Sequence, residues 1–276
     1  MTQPLLKVED LSVTFKTPHR MVHAVRSISF TVGREKVGIV GESGSGKSAT
    51  GRAILRLTPG NGVVTARKMR FEELDLANAS EEEMLKVRGS RIGMILQDPK
   101  FSLDPVMRVG DQITEALPPW LSSAEARERV LSVLEAVQIR NPQRVYNLYP
   151  HECSGGMGQR VMIAMMLVPE PKLLIADEPT SALDVTVRMQ VLAILDDLVS
   201  RRGLGLMFIS HDLNLVATFC DRVLIMYAGR IVEECKASEL RQATHPYTQG
   251  LLASLPRIEA RCKKLATMVR DQAWAV

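Results

Sequence analysis

The run KVGIV at 36–40, followed at once by GESGSGKS at 41–48 and then by ATGRAILR, constrains this chain more than any other feature. A short apolar run closed by glycine predicts a buried strand, and the following stretch predicts a helix. Between them, the pattern GxxxxGK(S/T) folds as a loop around a phosphate. Its glycines let successive backbone N–H groups curl round the anion, and the helix points its positive end at it. Lys47 then reaches the β- and γ-phosphates, and the Ser48 hydroxyl is placed to ligate Mg2+. Gly41, Glu42, Ser43, Gly44, Ser45, Gly46, Lys47, Ser48 and Ala49 therefore form the candidate binding set, with ATP and Mg2+ as the expected ligands.

The surrounding pattern is that of an α/β fold. Apolar runs at Leu173–Asp177, Leu206–Ser210 and Val223–Tyr227 alternate with amphipathic stretches, the mark of a mostly parallel sheet covered by helices. Ligands of such sheets sit beyond the carboxyl ends of the strands, so Gly41, Asp177 with Glu178, and His211 are expected to converge on one crevice. A helix-rich insertion is predicted from about Asp98 to Pro169. It contains one helix over Ser122–Gln138, capped by Ser122 or Ser123 and apolar at Val130, Leu131, Leu134 and Val137, and another over Gly156–Leu167. Val185–Arg202 reads as a packing helix with Val187, Val191, Ile194, Leu195 and Leu198 on one face and Gly203 stopping it.

The second chemical element is LLIADEPT at 173–180. Four apolar strand residues ending in two adjacent carboxylates are hard to explain by packing alone. Asp177 is expected to hold Mg2+ and Glu178 to polarise the attacking water as general base. His211, closing LMFIS, is by itself better explained by a structural role than by a catalytic one.

Composition narrows the setting. Net charge is +4 and aromatics are 4%, too mild and dispersed for a nucleic-acid binder but compatible with docking near anionic lipid headgroups. The four cysteines, Cys153, Cys220, Cys235 and Cys262, lack metal-ligand spacing and read as free thiols in a reducing compartment. No signal peptide and no 18-residue apolar stretch is present, so the chain is expected to be cytoplasmic and held at a membrane only by other subunits.

Taken in order, GESGSGKS, Gln97 within MILQDP, SGGMGQR at 154–160, LLIADEPT, SALD ending at Asp184, and His211 resemble the ATP-binding subunit of ABC transporters. The resemblance runs from about Leu5 to Pro256. It implies a P-loop NTPase core with an N-terminal antiparallel β subdomain and an inserted helical subdomain over about 98–169, all within a nucleotide-binding domain at 1–256, and a short tail at 257–276. By the same resemblance Gln97 is the glutamine that approaches Mg2+. Ser154, Gly155 and Gly156 present a helix start to the γ-phosphate held by a partner subunit. Asp184 lies at the subunit interface, and His211 contacts the γ-phosphate. Catalytic roles thus fall to Glu178, His211 and Gln97, and metal ligation to Ser48, Gln97 and Asp177. An aromatic stacks on adenine in such proteins, and Phe15 and His19 are the candidates; Phe15 is equally well read as a core residue of the first strand.

Several stretches resemble the oligopeptide, dipeptide and nickel importer group: QDPKFSLDP, YPHECSGGM and HPYTQGLL. The implied partners are a second ABC ATPase subunit, identical or different, two transmembrane permeases and an external solute-binding protein, with the chain peripheral at the cytoplasmic face of the inner membrane and no nucleic acid involved. Cys153 replaces a usual leucine, Gly158 a larger polar or basic residue, and Asp104 an asparagine. A glycine within the helix weakens it by about 1 kcal/mol relative to alanine, so hydrolysis slower than in relatives is expected, and faster turnover in Gly158→Arg. Two other readings stand beside this one: a regulatory ATP-binding module with weak hydrolysis, and a non-transport ABC ATPase. The latter type carries coiled-coil insertions or two cassettes, which this chain lacks.

Overall fold

The computed structural model describes residues 3–97, 102–181, 183–255 and 274. The predicted start of the helical insertion at Asp98, the PKF part of QDPKFSLDP, Ala182, Cys262 and almost all of the 257–276 tail lie outside the described residues. Strands are β1 (Leu6–Lys16), β2 (Met21–Val32), β3 (Lys36–Val40), β4 (Gly62–Thr65), β5 (Lys68–Phe71), β6 (Leu74–Asp75), β7 (Ile92–Ile95), β8 (Leu173–Asp177), β9 (Gly205–Ser210), β10 (Arg222–Tyr227) and β11 (Arg230–Lys236). The α-helices are α1 (Lys47–Ile54), α2 (Glu81–Leu85), α3 (Val109–Glu115), α4 (Ser123–Ala136), α5 (Pro142–Tyr146), α6 (Gly155–Leu167), α7 (Val185–Arg202), α8 (Leu213–Phe219) and α9 (Pro246–Ser254). They form two compact units, Met1–Ala79 with Met207–Val276, and Ser80–Leu206.

The first unit holds an antiparallel sheet of order β2-β1-β5-β6, with β4 also pairing β1. β1 alternates on either side of a register shift between Val8 and Leu11, so that Leu6, Val8, Leu11 and Val13 are all fully or almost fully buried. In the same unit β3 lies beside β10 in parallel, Val37 opposite Arg222 through Val40 opposite Ile225. On the outer side β10 pairs β11 antiparallel, and β9 neighbours β3. The apolar face of β3 is covered so closely by α8 that a Cβ on Gly38 would stand 2.3 Å from Val216 Cγ1.

In the second unit β7 and β8 pair in parallel, Ile92 opposite Leu173 through Ile95 opposite Ala176. Both are buried along their whole length, which is why they read as unbroken apolar runs. Helices α3 to α6 occupy 109–167. Of these α4 opens on a reciprocal cap: the Glu125 N–H donates to Ser122 Oγ (3.3 Å) and the Ser122 N–H to Glu125 Oε2 (2.9 Å). Its buried side chains are Ala126, Val130, Val133 and Leu134. Leu131, expected on that face, is only half-buried and Val133 takes its place. α7 is capped by Asp184, which accepts from Val187 N–H at 3.0 Å, and stops at Gly203 in the left-handed region (φ 63°). Among the described residues no helix is long and apolar enough to cross a membrane.

Candidate active site

The phosphate-binding loop belongs to the first unit, where β3 delivers it to the start of α1. Two glycines are required by what surrounds them. A Cβ on Gly41 would lie 2.1 Å from the Met226 carbonyl oxygen of β10. Gly46, the residue before α1, has φ 104°, and a Cβ there would meet Ala24 O of β2 at 2.3 Å. The loop is tied down elsewhere too: Ser45 N–H donates to Glu42 O (3.2 Å), and Gly229 N–H donates to Ser45 O (3.1 Å). The Lys47 ammonium lies over the loop, donating to the carbonyls of Gly41 and Glu42, each at 2.8 Å. Lys47 is buried, Ser48 and Ala49 are half-buried on the first turn, and Ser43 and Gly44 are exposed at the rim. A buried cation and a helix start thus belong to one glycine-shaped loop, the pairing that holds a polyphosphate.

His211 is in the same unit and exposed, directly after β9. Its backbone is set on both sides, because Asp212 N–H donates to Ser210 Oγ (3.0 Å) while Asp212 caps α8 by accepting from Leu215 N–H (3.0 Å). Of the two adenine candidates, Phe15 is half-buried in β1 with its ring close over Gly62, where a Cβ would stand 2.9 Å from Cε1. His19 is exposed after β1.

The acidic pair belongs to the second unit. Asp177 ends β8 and is 3% exposed, and Glu178 follows with φ 49°, a strained backbone for a residue with a Cβ. Both the N–H (3.2 Å) and the hydroxyl (3.1 Å) of Ser181 donate to the Glu178 carbonyl and hold that turn. Gln97, two residues beyond β7, donates from Nε2 to Glu178 Oε2 at 3.2 Å. Two residues distant in sequence are therefore joined, because parallel pairing of β7 and β8 brings their carboxyl ends to the same edge.

Ser154 caps α6 by accepting from Met157 N–H at 3.3 Å, one residue earlier than the predicted start allowed, with Gly155 exposed on the first turn. Gly156 is where α6 meets α7: a Cβ would come within 2.7 Å of Val187 Cγ1. Gly158 is buried and does not interrupt the helix, its N–H donating to Ser154 O at 2.8 Å. Burial, with the Glu152 carboxylate adding, raises the Cys153 thiol, so it stays neutral beside the cap. The residue that the sequence reading passed over is Tyr247, whose phenolic oxygen accepts the Glu42 N–H at 3.1 Å. Its only sequence signal was membership of the HPYT segment.

The ABC transporter family profile matches residues 25–181. The oligopeptide transport ATP-binding protein OppD of Bacillus subtilis is 48% identical over 270 residues, covering 96% of this chain and 75% of that protein. OppD of Escherichia coli is 46% identical over 268 residues, covering 96% and 79% respectively. Among solved structures, the dimeric post-hydrolysis state of the ATP-binding cassette MJ0796, bound to ADP and Pi, superposes with a TM-score of 0.74 at 26% identity, covering 84% of this chain and 98% of that one. The chain cbiO1 of Clostridium perfringens, part of the complex cbiONQ, gives a TM-score of 0.74 at 28% identity, covering 87% and 92%. With loop, acidic pair and family profile in agreement, the chain belongs to the ABC transporter family, as one of its ATP-binding, ATP-hydrolysing subunits.

Proposed function

We propose that this chain hydrolyses ATP to energise an importer of short peptides, with nickel or a related small solute as the other cargo of its class. The observation that carries the reading is the loop itself, in which the Lys47 ammonium sits at the start of α1 and Gly41 and Gly46 leave no room for a side chain. The solute follows from what the OppD proteins are named for, at 46–48% identity over nearly the whole chain.

On this reading the loop over 41–49 and the start of α1 bind the phosphates, and Lys47 and His211 offset charge on the transferred phosphoryl group. Glu178 orients water in line with the leaving diphosphate and takes its proton, while Gln97, hydrogen-bonded to that carboxylate, keeps it aimed. The donors Ser48, Gln97 and Asp177 are all oxygen-bearing side chains, which suits Mg2+ bound jointly with substrate phosphates. When bound, the ion neutralises charge developing on the β- and γ-phosphate oxygens. Ser154, Gly155 and Gly156 at the start of α6 face the ATP of a second ATPase subunit, identical or different. Two permeases hold the pair at the cytoplasmic face of the inner membrane, and a solute-binding protein feeds them.

The test is uptake into proteoliposomes carrying the full assembly, with binding protein added. ATP-dependent accumulation of a labelled short peptide, abolished by Lys47→Ala, is expected. Accumulation of nickel without peptide uptake would move the assignment within the group, and ATP-independent uptake of either would contradict it.

A further inference from the structure

Tyr247 is 0% exposed, and a buried phenol needs a polar partner. Its site is built from several directions. The Glu233 carboxylate of β11 accepts the N–H groups of Thr244 (2.7 Å) and His245 (3.3 Å), and His245 Nδ1 caps α9 by accepting Tyr247 N–H at 3.2 Å. The Tyr227 ring, at the end of β10, packs against Tyr247 with centroids 4.4 Å apart, and Trp274 reaches both rings at 6.2 and 6.3 Å. The His245 cap and the close Tyr227 ring hold in place a hydroxyl that accepts from the phosphate-binding loop at Glu42, with Trp274 a more distant contact of both rings.

The hydrogen bond from Glu42 N–H to Tyr247 Oη (3.1 Å) acquires meaning from the peptide group it belongs to. The Gly41 carbonyl and the Glu42 N–H are opposite ends of one trans peptide plane, so they point in opposite directions. At the carbonyl end sits the Lys47 ammonium at 2.8 Å, and at the amide end the phenol. Rotation of that plane would swing the carbonyl away from Lys47. Gly41 lacks a side chain to resist such a rotation, because β10 leaves no room for one.

We propose that Tyr247 is a positioning residue for nucleotide binding: its phenolic oxygen locks the Gly41–Glu42 peptide so that Lys47 and the loop amides are preset for phosphate. This rests on the ATP-binding reading of the loop. Tyr247 itself touches no nucleotide and acts through Glu42.

The experiment is equilibrium titration of ATP with Mg2+ into the purified full-length chain, alongside hydrogen exchange at the Glu42 amide. Tyr247→Phe keeps the ring against Tyr227 and Trp274 and deletes only the oxygen. It is expected to weaken ATP about threefold to tenfold, the effect of one lost hydrogen bond, and to speed exchange at Glu42. Trp274→Ala keeps the oxygen, the Tyr227 ring and the His245 cap and removes only the more distant ring, so it is expected to lower the thermal midpoint while leaving ATP affinity within twofold. Wild-type affinity and wild-type Glu42 exchange in Tyr247→Phe would overturn the proposal. So would equal weakening by Trp274→Ala, which would make the effect one of packing. Lys47→Ala separates the two claims. If it binds ATP like wild type, the loop reading itself falls; if it loses ATP and Tyr247→Phe does not, only the role of Tyr247 falls.

Discussion

Gly46 combines two constraints in one residue: φ of 104° and a carbonyl 2.3 Å from where a Cβ would stand. A left-handed conformation alone costs a residue with a side chain about 1–2 kcal/mol, and here the obstruction is backbone, which cannot rotate aside. Gly46→Ala is therefore expected to lower the melting temperature and to abolish the upward shift that ATP gives wild type, a comparison read from paired thermal melts with and without nucleotide. Cys220 carries a prediction of a different kind. Burial, with the Asp221 carboxylate adding and Lys36 opposing, pushes its thiol up to about 12. The folded state thus favours the protonated form. Its contribution to stability is whole below the unfolded thiol value of about 8.5 and is lost as pH rises toward the folded value. Urea unfolding at pH 8 and pH 10 is expected to show a larger loss for wild type than for Cys220→Ala.

At the scale of elements, α6 and α7 are joined at Gly156, with Val187 Cγ1 only 2.7 Å from a hypothetical Cβ. Gly156→Ala overfills that contact and is expected to destabilise the protein by about 1–3 kcal/mol. Combining it with Val187→Ala, which opens the facing position, is expected to restore part of the loss. Additive destabilisation in that double-mutant cycle would mean the helices do not meet there. These elements also show what a sequence can reveal. β3, β8 and α7 occupy the residues expected of them, because buried parallel strands are unbroken apolar runs and α7 carries its own cap and stop at Asp184 and Gly203. Local chemistry writes itself into neighbouring residues. The Glu42–Tyr247 hydrogen bond spans 205 residues and leaves no periodicity, and the closeness of Ala24 to Gly46 is a backbone contact that no side-chain pattern records. The short strands β4 to β6 left little signal either, since four residues or fewer cannot establish an alternation.

For the whole molecule, the proposal makes the loop at 41–48 half of a site. The MJ0796 cassette bound to ADP and Pi is a dimer, and on the present reading the start of α6 in one chain completes the phosphate site of another. On the same reading chemistry rests on Glu178, whose backbone lies at φ 49° and whose carboxylate accepts from Gln97. The most direct measurement is the steady-state ATPase rate of the assembled transporter carrying Glu178→Gln, taken with ATP binding in the same preparation. Loss of a general base predicts a fall of about a hundredfold or more with ATP still bound. A rate equal to wild type would contradict the account.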